Sequence, residues 1–174
     1  MNATEFLRAF HTQVNRVRPT GYSGEWSVGM YRVLERIGKA AGYQVNHRNR
    51  HGEINNIDFC YTVRDGRPST NWNPPCVVIE HENAWHVEET KWDFWKSCLY
   101  AVPLRITIGY KAREDQALAV GKELMDFYSR WRLRQLTTGE TLLIMGWVQE
   151  PGPRQWLYWR LRGRSRKATQ GRLK

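Results

Sequence analysis

The sequence predicts an α/β domain with a mixed central sheet flanked by helices. Three observations predict it. Segments with apolar residues every three or four positions are interspersed with short β-branched and aromatic runs. After a short N-terminal helix, the order of segments is helix, three strands, helix, strand, helix, two strands, which combines a meander with crossovers. At 174 residues, 41% hydrophobic and 13% aromatic, the chain can bury one sizeable core but not two.

The elements follow in order. Phe6, Phe10, Val14 and Val17 recur at helical spacing and predict a short helix docked on the domain. "SGEWSVGMYRVLERIGKAAGY" is the strongest helix: Trp26, Met30, Val33, Leu34, Ile37 and Ala41 form one stripe. Ser23 suits its N-cap and Gly42 its C-terminal stop. "YQVNHR" alternates like a first strand, and "NNIDFCYTV" reads as a second. "RDGRPSTNWNPP" is the turn-rich loop that brings back a third, "CVVIEHEN". The unbroken apolar start of that third strand implies burial on both faces. "HVEETKWDFWKSCLYAV" is a helix with acidic residues at its start, stopped by Pro103. "LRITIGY" would return beside the third strand by a right-handed crossover. "REDQALAVGKELMDFYSRWRL" is the last helix, and "GETLLIMGWVQE" with "RQWLYWRLR" forms a closing hairpin.

No run approaches the roughly 18 apolar residues of a membrane span. The N-terminus has no unbroken apolar segment of the kind a secretory signal needs. Cys60, Cys76 and Cys98 are far apart and odd in number, and no CxxC pair exists. They imply free thiols in a reducing, cytoplasmic setting. The net charge of +10 is concentrated at one end. From Pro151 to Lys174 there are eight Lys and Arg and no acid, whereas the first 150 residues hold 19 basic against 17 acidic side chains. The expected organisation is a near-neutral domain over 1–150 and a final strand with a basic tail over 151–174, suited to a polyanion such as nucleic acid.

The residues that carry chemistry cluster around "CVVIEHEN". Period-two alternation puts Glu80 and Glu82 on one face and His81 on the other. Like charges on one face are rewarded either by water at a sheet edge or by a bound cation. Asp58, in the second strand, can approach Glu80 if the two strands pair. Hard divalent ions such as Mg²⁺ are held by one or two carboxylates with water and substrate phosphate.

On the residues of "NNIDF" and "IEHEN", the chain resembles the PD-(D/E)xK, or restriction-endonuclease-like, nuclease superfamily. That resemblance covers about residues 24–110 and implies a core of helix, three-strand meander, helix and strand. It implies Asp58 and Glu80 as metal ligands for Mg²⁺, with Mn²⁺ as a substitute, and DNA as substrate. Glu82 stands where the family usually has lysine and would bind metal or position water. The lysine would then come from the following helix: Lys96 is the natural donor and Lys91 the competitor. Lys96 and Tyr100 also have the spacing of a Q-x-x-x-Y motif found in one branch. Glu25 occupies the place of an accessory helix glutamate, with Glu35 as the alternative.

Phosphate contacts are expected from Arg48 and Arg50 in "NHRNRHGE". They are also expected from Arg154, Arg160, Arg162, Arg164, Arg166 and Lys167 at the C-terminus, where Trp156, Tyr158 and Trp159 are interleaved. The expected function is metal-dependent hydrolysis of DNA by in-line attack of water, endonucleolytic rather than exonucleolytic. The alternative is an inactive nucleic-acid-binding or protein-interaction subunit on the same fold. RNA is a further possible substrate, and a homodimer or a larger complex a possible assembly.

Overall fold

A computed structural model describes residues 1–19, 23–47, 56–63, 73–84, 86–131, 133, 137–147, 155–163, 165 and 167–173. Helix α1 (Ala3–Val17) starts at a capping box: the Asn2 side chain accepts from the N–H groups of Thr4 and Glu5, and the Glu5 carboxylate accepts from Asn2 N–H. Phe6, Phe10 and Val14 form its buried stripe, as their spacing predicts. Helix α2 (Ser23–Ala40) packs on α1 and ends where Gly42 takes φ +82°, a conformation that suits glycine.

Strands β1 (Tyr43–His47), β2 (Phe59–Val63) and β3 (Pro75–His81) form an antiparallel meander. The chain then crosses through α3 (Val87–Cys98) to β4 (Leu104–Lys111), parallel to β3. It crosses again through α4 (Glu114–Arg130) to β5 (Glu140–Trp147), parallel to β4. Strand β6 (Gln155–Arg162) returns antiparallel to β5. Beyond it, where the sequence reading continues as a tail, Thr169–Leu173 form β7, antiparallel to β6. The result is one seven-stranded mixed sheet in the order β1 to β7. The α/β class and the mixed sheet flanked by helices are as expected.

The sheet is covered on both faces. The face toward α1 and α2 buries Ile79, Ile106, Ile108, Ile144 and Trp156 against Phe6, Phe10, Trp26 and Met30. The other face buries Leu143, Met145, Leu157 and Trp159 against Phe94, Ala117, Leu124 and Tyr128 of α3 and α4. Gly121 of α4 lets the Trp159 ring approach, since a Cβ there would lie 2.1 Å from that ring.

One expectation is corrected. Asp58 lies in a bend just before β2, not within the strand. Asn56 has φ +61°, and the Asp58 carboxylate accepts the backbone N–H of His81 at 3.0 Å. A side chain thus takes a ladder position there. Period-two alternation sends Trp156 and Trp159 to opposite faces of the sheet, and both are buried. No helix among the described residues is long and apolar enough to cross a membrane, and all three cysteines are free.

Candidate metal centre on the third strand

Strand β3 is central and buried on both faces, so its alternation sorts two ionisable neighbours to opposite environments. His81 points toward α2, where its Nε2 lies 2.8 Å from the Tyr110 hydroxyl and its ring meets the edges or faces of Tyr31 and Tyr110. Burial pulls its pKa down to about 3, so it is neutral. It is structural, as its face predicts.

Glu80 points toward α3 and is fully buried. One ligand atom from each of Asp58, Glu80 and Asp93 lies within 4.8 Å of the others. Strand pairing delivers Asp58, because Phe59 lies opposite Ile79 in the β2–β3 ladder. Helix α3 delivers Asp93: its buried stripe is Thr90, Asp93, Phe94, Ser97 and Cys98, and Ser97 Oγ sits 3.3 Å from Thr107 Oγ1 on β4. Lys96, one helical turn from Asp93, places its Nζ 3.1 Å from Glu80 Oε1 and 3.1 Å from Asp93 Oδ1.

The electrostatics are those of crowded carboxylates in a dry place. Burial, then Asp93, then Asp58 push Glu80 up to about 9, with Lys96 pulling the other way. Burial lifts Asp93 to about 6, against the pull of Lys96. Burial opposes charge on Lys96, but Glu80 and Asp93 outweigh it and the net shift is upward. Burial, then Glu80, raises Tyr100. Lys96 makes an ion-pair contact with Oε1 at 3.1 Å. Neither Glu80 oxygen has a hydrogen-bond partner among the described residues. Such orphaned buried acceptors normally cost about 1–3 kcal/mol each. A set of hard oxygen donors with unmet lone pairs fits a divalent cation.

The other expected site residues divide clearly. Glu82 lies just past β3 and its Oε1 accepts from Ala84 N–H at 2.6 Å, so it caps the turn and is not among the converging ligand atoms. Glu25 is exposed on α2 and lines a surface cleft with Arg18, Val28 and Arg32, apart from the acid cluster. Glu35 pairs with Lys39 at 2.8 Å. Lys91 pairs with Glu88 and Glu123 on the outer surface, which leaves Lys96 as the lysine at Glu80. Arg160 is held by Glu140 and Thr4, Arg162 lies near Glu140, and Lys167 is exposed. Arg48, Arg50, Arg154, Arg164 and Arg166 lie outside the described residues.

Sequence reasoning missed Asp93 and Lys111. Lys111, at the end of β4, is buried with Nζ 3.4 Å from His86 O, and burial lowers its pKa against the pull of Glu82 and Glu89. The signal for Asp93 was the polar stripe Thr90, Asp93, Ser97. It was masked by Trp92 and Leu99, which point to solvent at 60% and 51% exposure.

Fold and site together define an α/β protein in which three acids and a half-buried lysine converge between the mixed sheet and α3. No protein-family model matches the chain, and no curated protein is similar to it in sequence.

Proposed function

We propose that the protein is a metal-dependent nuclease that hydrolyses DNA phosphodiester bonds, with endonucleolytic cutting favoured. The observation that carries this reading is the convergence of Asp58, Glu80 and Asp93 around a buried carboxylate with no hydrogen-bond partner among the described residues. The run α2, β1, β2, β3, α3, β4 supports it, because it follows the core order of the nuclease superfamily that "NNIDF" and "IEHEN" resemble.

Asp58, Glu80 and Asp93 would hold Mg²⁺ or Mn²⁺. A divalent cation supplies Lewis acidity toward water and toward a phosphate oxygen. Lys96 holds its ammonium against Glu80 and Asp93, so it can present positive charge where a phosphate group gains negative charge. Tyr100, one turn on, is close enough to feel the Glu80 charge and would bound the site on that side. Asp58 has a second duty, because its bond to His81 N–H fixes the carboxylate relative to β3.

The test is plasmid nicking by purified protein with Mg²⁺ or Mn²⁺, alongside metal binding read by thermal shift. Nicking that disappears in Asp58→Ala and Glu80→Ala, with loss of the metal-induced rise in Tm, supports the reading. A ligand at a hundred times its Kd adds about 2.7 kcal/mol to stability, which a melt resolves readily. Salt-sensitive DNA binding without metal-dependent cleavage would favour an inactive nucleic-acid-binding subunit. Co-purification with a protein partner free of nucleic acid would favour an interaction subunit.

A further inference from the structure

A second concentration of charge lies on the opposite face of the sheet, and the acid cluster has no use for it. Between α1 and strands β6 and β7 there is a cleft of about 430 Å³. Four of its lining residues are arginines, Arg8, Arg160, Arg162 and Arg172, and none of the described lining residues is acidic. Alternation along β6 explains the clustering, because Tyr158, Arg160 and Arg162 share a face. Gly171 on β7 leaves room for the Tyr158 ring, since a Cβ there would meet its hydroxyl at 2.3 Å.

The four arginines are not equivalent. Arg172 turns its guanidinium away to Glu114, Gln155 and the face of Trp147, so it adds no free charge to the cleft. Arg160 is fixed: its Nε donates to Glu140 Oε1 at 2.8 Å, Nη2 donates to the same oxygen, and Nη1 donates to Thr4 Oγ1 at 2.6 Å. Glu140 is itself fully engaged, because its other oxygen accepts from Ala3 N–H at 2.7 Å. That single acid compensates Arg160 and leaves two cations in excess. Arg162 is 71% exposed and only brushes Glu140, at 3.5 Å. Arg8 is exposed on α1 with no carboxylate partner among the described residues. A concave site with a pre-oriented guanidinium, two further arginines and threonine hydroxyls matches the donor pattern that recognises phosphate.

We propose that this cleft is a phosphate-binding site, in which Arg8, Arg162 and the unused N–H groups of Arg160 hold the anion. Its volume exceeds a single phosphate and suits a pyrophosphate or one phosphodiester unit of a strand. The cleft faces α1 whereas Glu80 faces α3, so a small ligand here does not reach the acid cluster. The inference therefore does not rest on the nuclease reading.

The test is calorimetric titration of the full chain in chelator and low salt, with pyrophosphate in one arm and a short single-stranded DNA in the other. Arginine Nε–H signals are followed by NMR. The expected result is binding in at least one arm, with shifts at Arg8, Arg160 and Arg162. The double variant Arg8→Gln, Arg162→Gln should bind at least about tenfold more weakly, as expected for losing charge-assisted hydrogen bonds. Lys122→Gln, a surface lysine on α4, should bind as wild type does. Binding of pyrophosphate identifies a free phosphate ligand, and binding of DNA alone identifies a strand. Absence of binding in both arms, undiminished binding by the double variant, or an equal loss in Lys122→Gln would overturn the proposal. Chelator keeps the outcomes apart, because failure of metal-dependent nicking leaves this measurement untouched.

Discussion

Arg105 and Glu80 are both fully buried on the α3 face of the sheet, on neighbouring strands, and they are treated in opposite ways. Arg105 Nη2 donates to the carbonyls of Tyr100, Val102 and Thr138, and Nη1 donates to Thr141 Oγ1. Only its Nε lacks a partner among the described residues. No anion is needed, because the segment after α3 and the one before β5 supply oriented carbonyl dipoles to a weakly hydrated cation. Glu80 has one lysine at ion-pair distance, two acids close by and no hydrogen-bond partner for either oxygen among the described residues. A buried charge wrapped in neutral partners holds a loop in place. A buried carboxyl left short of partners is pushed toward its neutral form, as the rise of Glu80 to about 9 reflects, and is the kind of group a ligand can satisfy.

Removing the satisfied charge should have the largest effect. Arg105→Met strands three carbonyls around an apolar side chain, and at about 1–3 kcal/mol per orphaned group chemical denaturation should show a loss of roughly 3 kcal/mol or more. A loss below about 1 kcal/mol would mean that the carbonyls find water instead.

Lys96→Met comes next. It leaves Glu80 and Asp93 without their nearest cation, and the cost at pH 8 in chelator should be about 1–3 kcal/mol. The loss should shrink at pH 5, where Asp93, lifted to about 6, takes up a proton.

Titration sharpens the contrast further. Glu80 has a folded pKa of about 9 and Asp93 of about 6, both above the usual carboxylate range. The folded state therefore binds more protons than the unfolded state between those limits. Their contribution to stability is fully present below about pH 4 and is lost as pH rises toward 9. Denaturation midpoints in chelator should fall across that range, and Glu80→Gln should flatten the slope. A wild-type slope equal to that of Glu80→Gln would refute the burial argument.

The smallest effect is expected at Trp92, whose ring lies tilted against Trp95 with centroids 4.9 Å apart but is 60% exposed. Trp92→Ala should move stability by no more than about 0.5 kcal/mol, although it sits on the same helix as Asp93 and Lys96. A larger loss would show that α3 depends on its outer face as well as its inner one.

Much of the architecture was legible along the chain. Strand β3 announced itself by four apolar residues before Glu80, and the alternation that separates Glu80 from His81 is a property of any strand. Phe6, Phe10 and Val14 marked α1 by spacing alone. The site was legible only in part. Asp58, Glu80 and Lys96 could be singled out because two sit at the rim of apolar runs and the third lies on the next helix. Asp93 was hidden, since hydrophobicity favoured the face of Trp92 and Leu99. Glu25 lies exposed in a separate cleft, because a position in the first turn of α2 does not fix which way the side chain points.

Local periodicity, charge and turn chemistry thus determined the elements, their order and the candidate strand, since each depends on neighbours a few residues away. The tertiary structure decided which acids meet, which lysine reaches them and that residues 169–173 add a strand. Those outcomes depend on ladder register and on the rotation of α3 about its axis, and both are fixed by packing between residues distant in sequence.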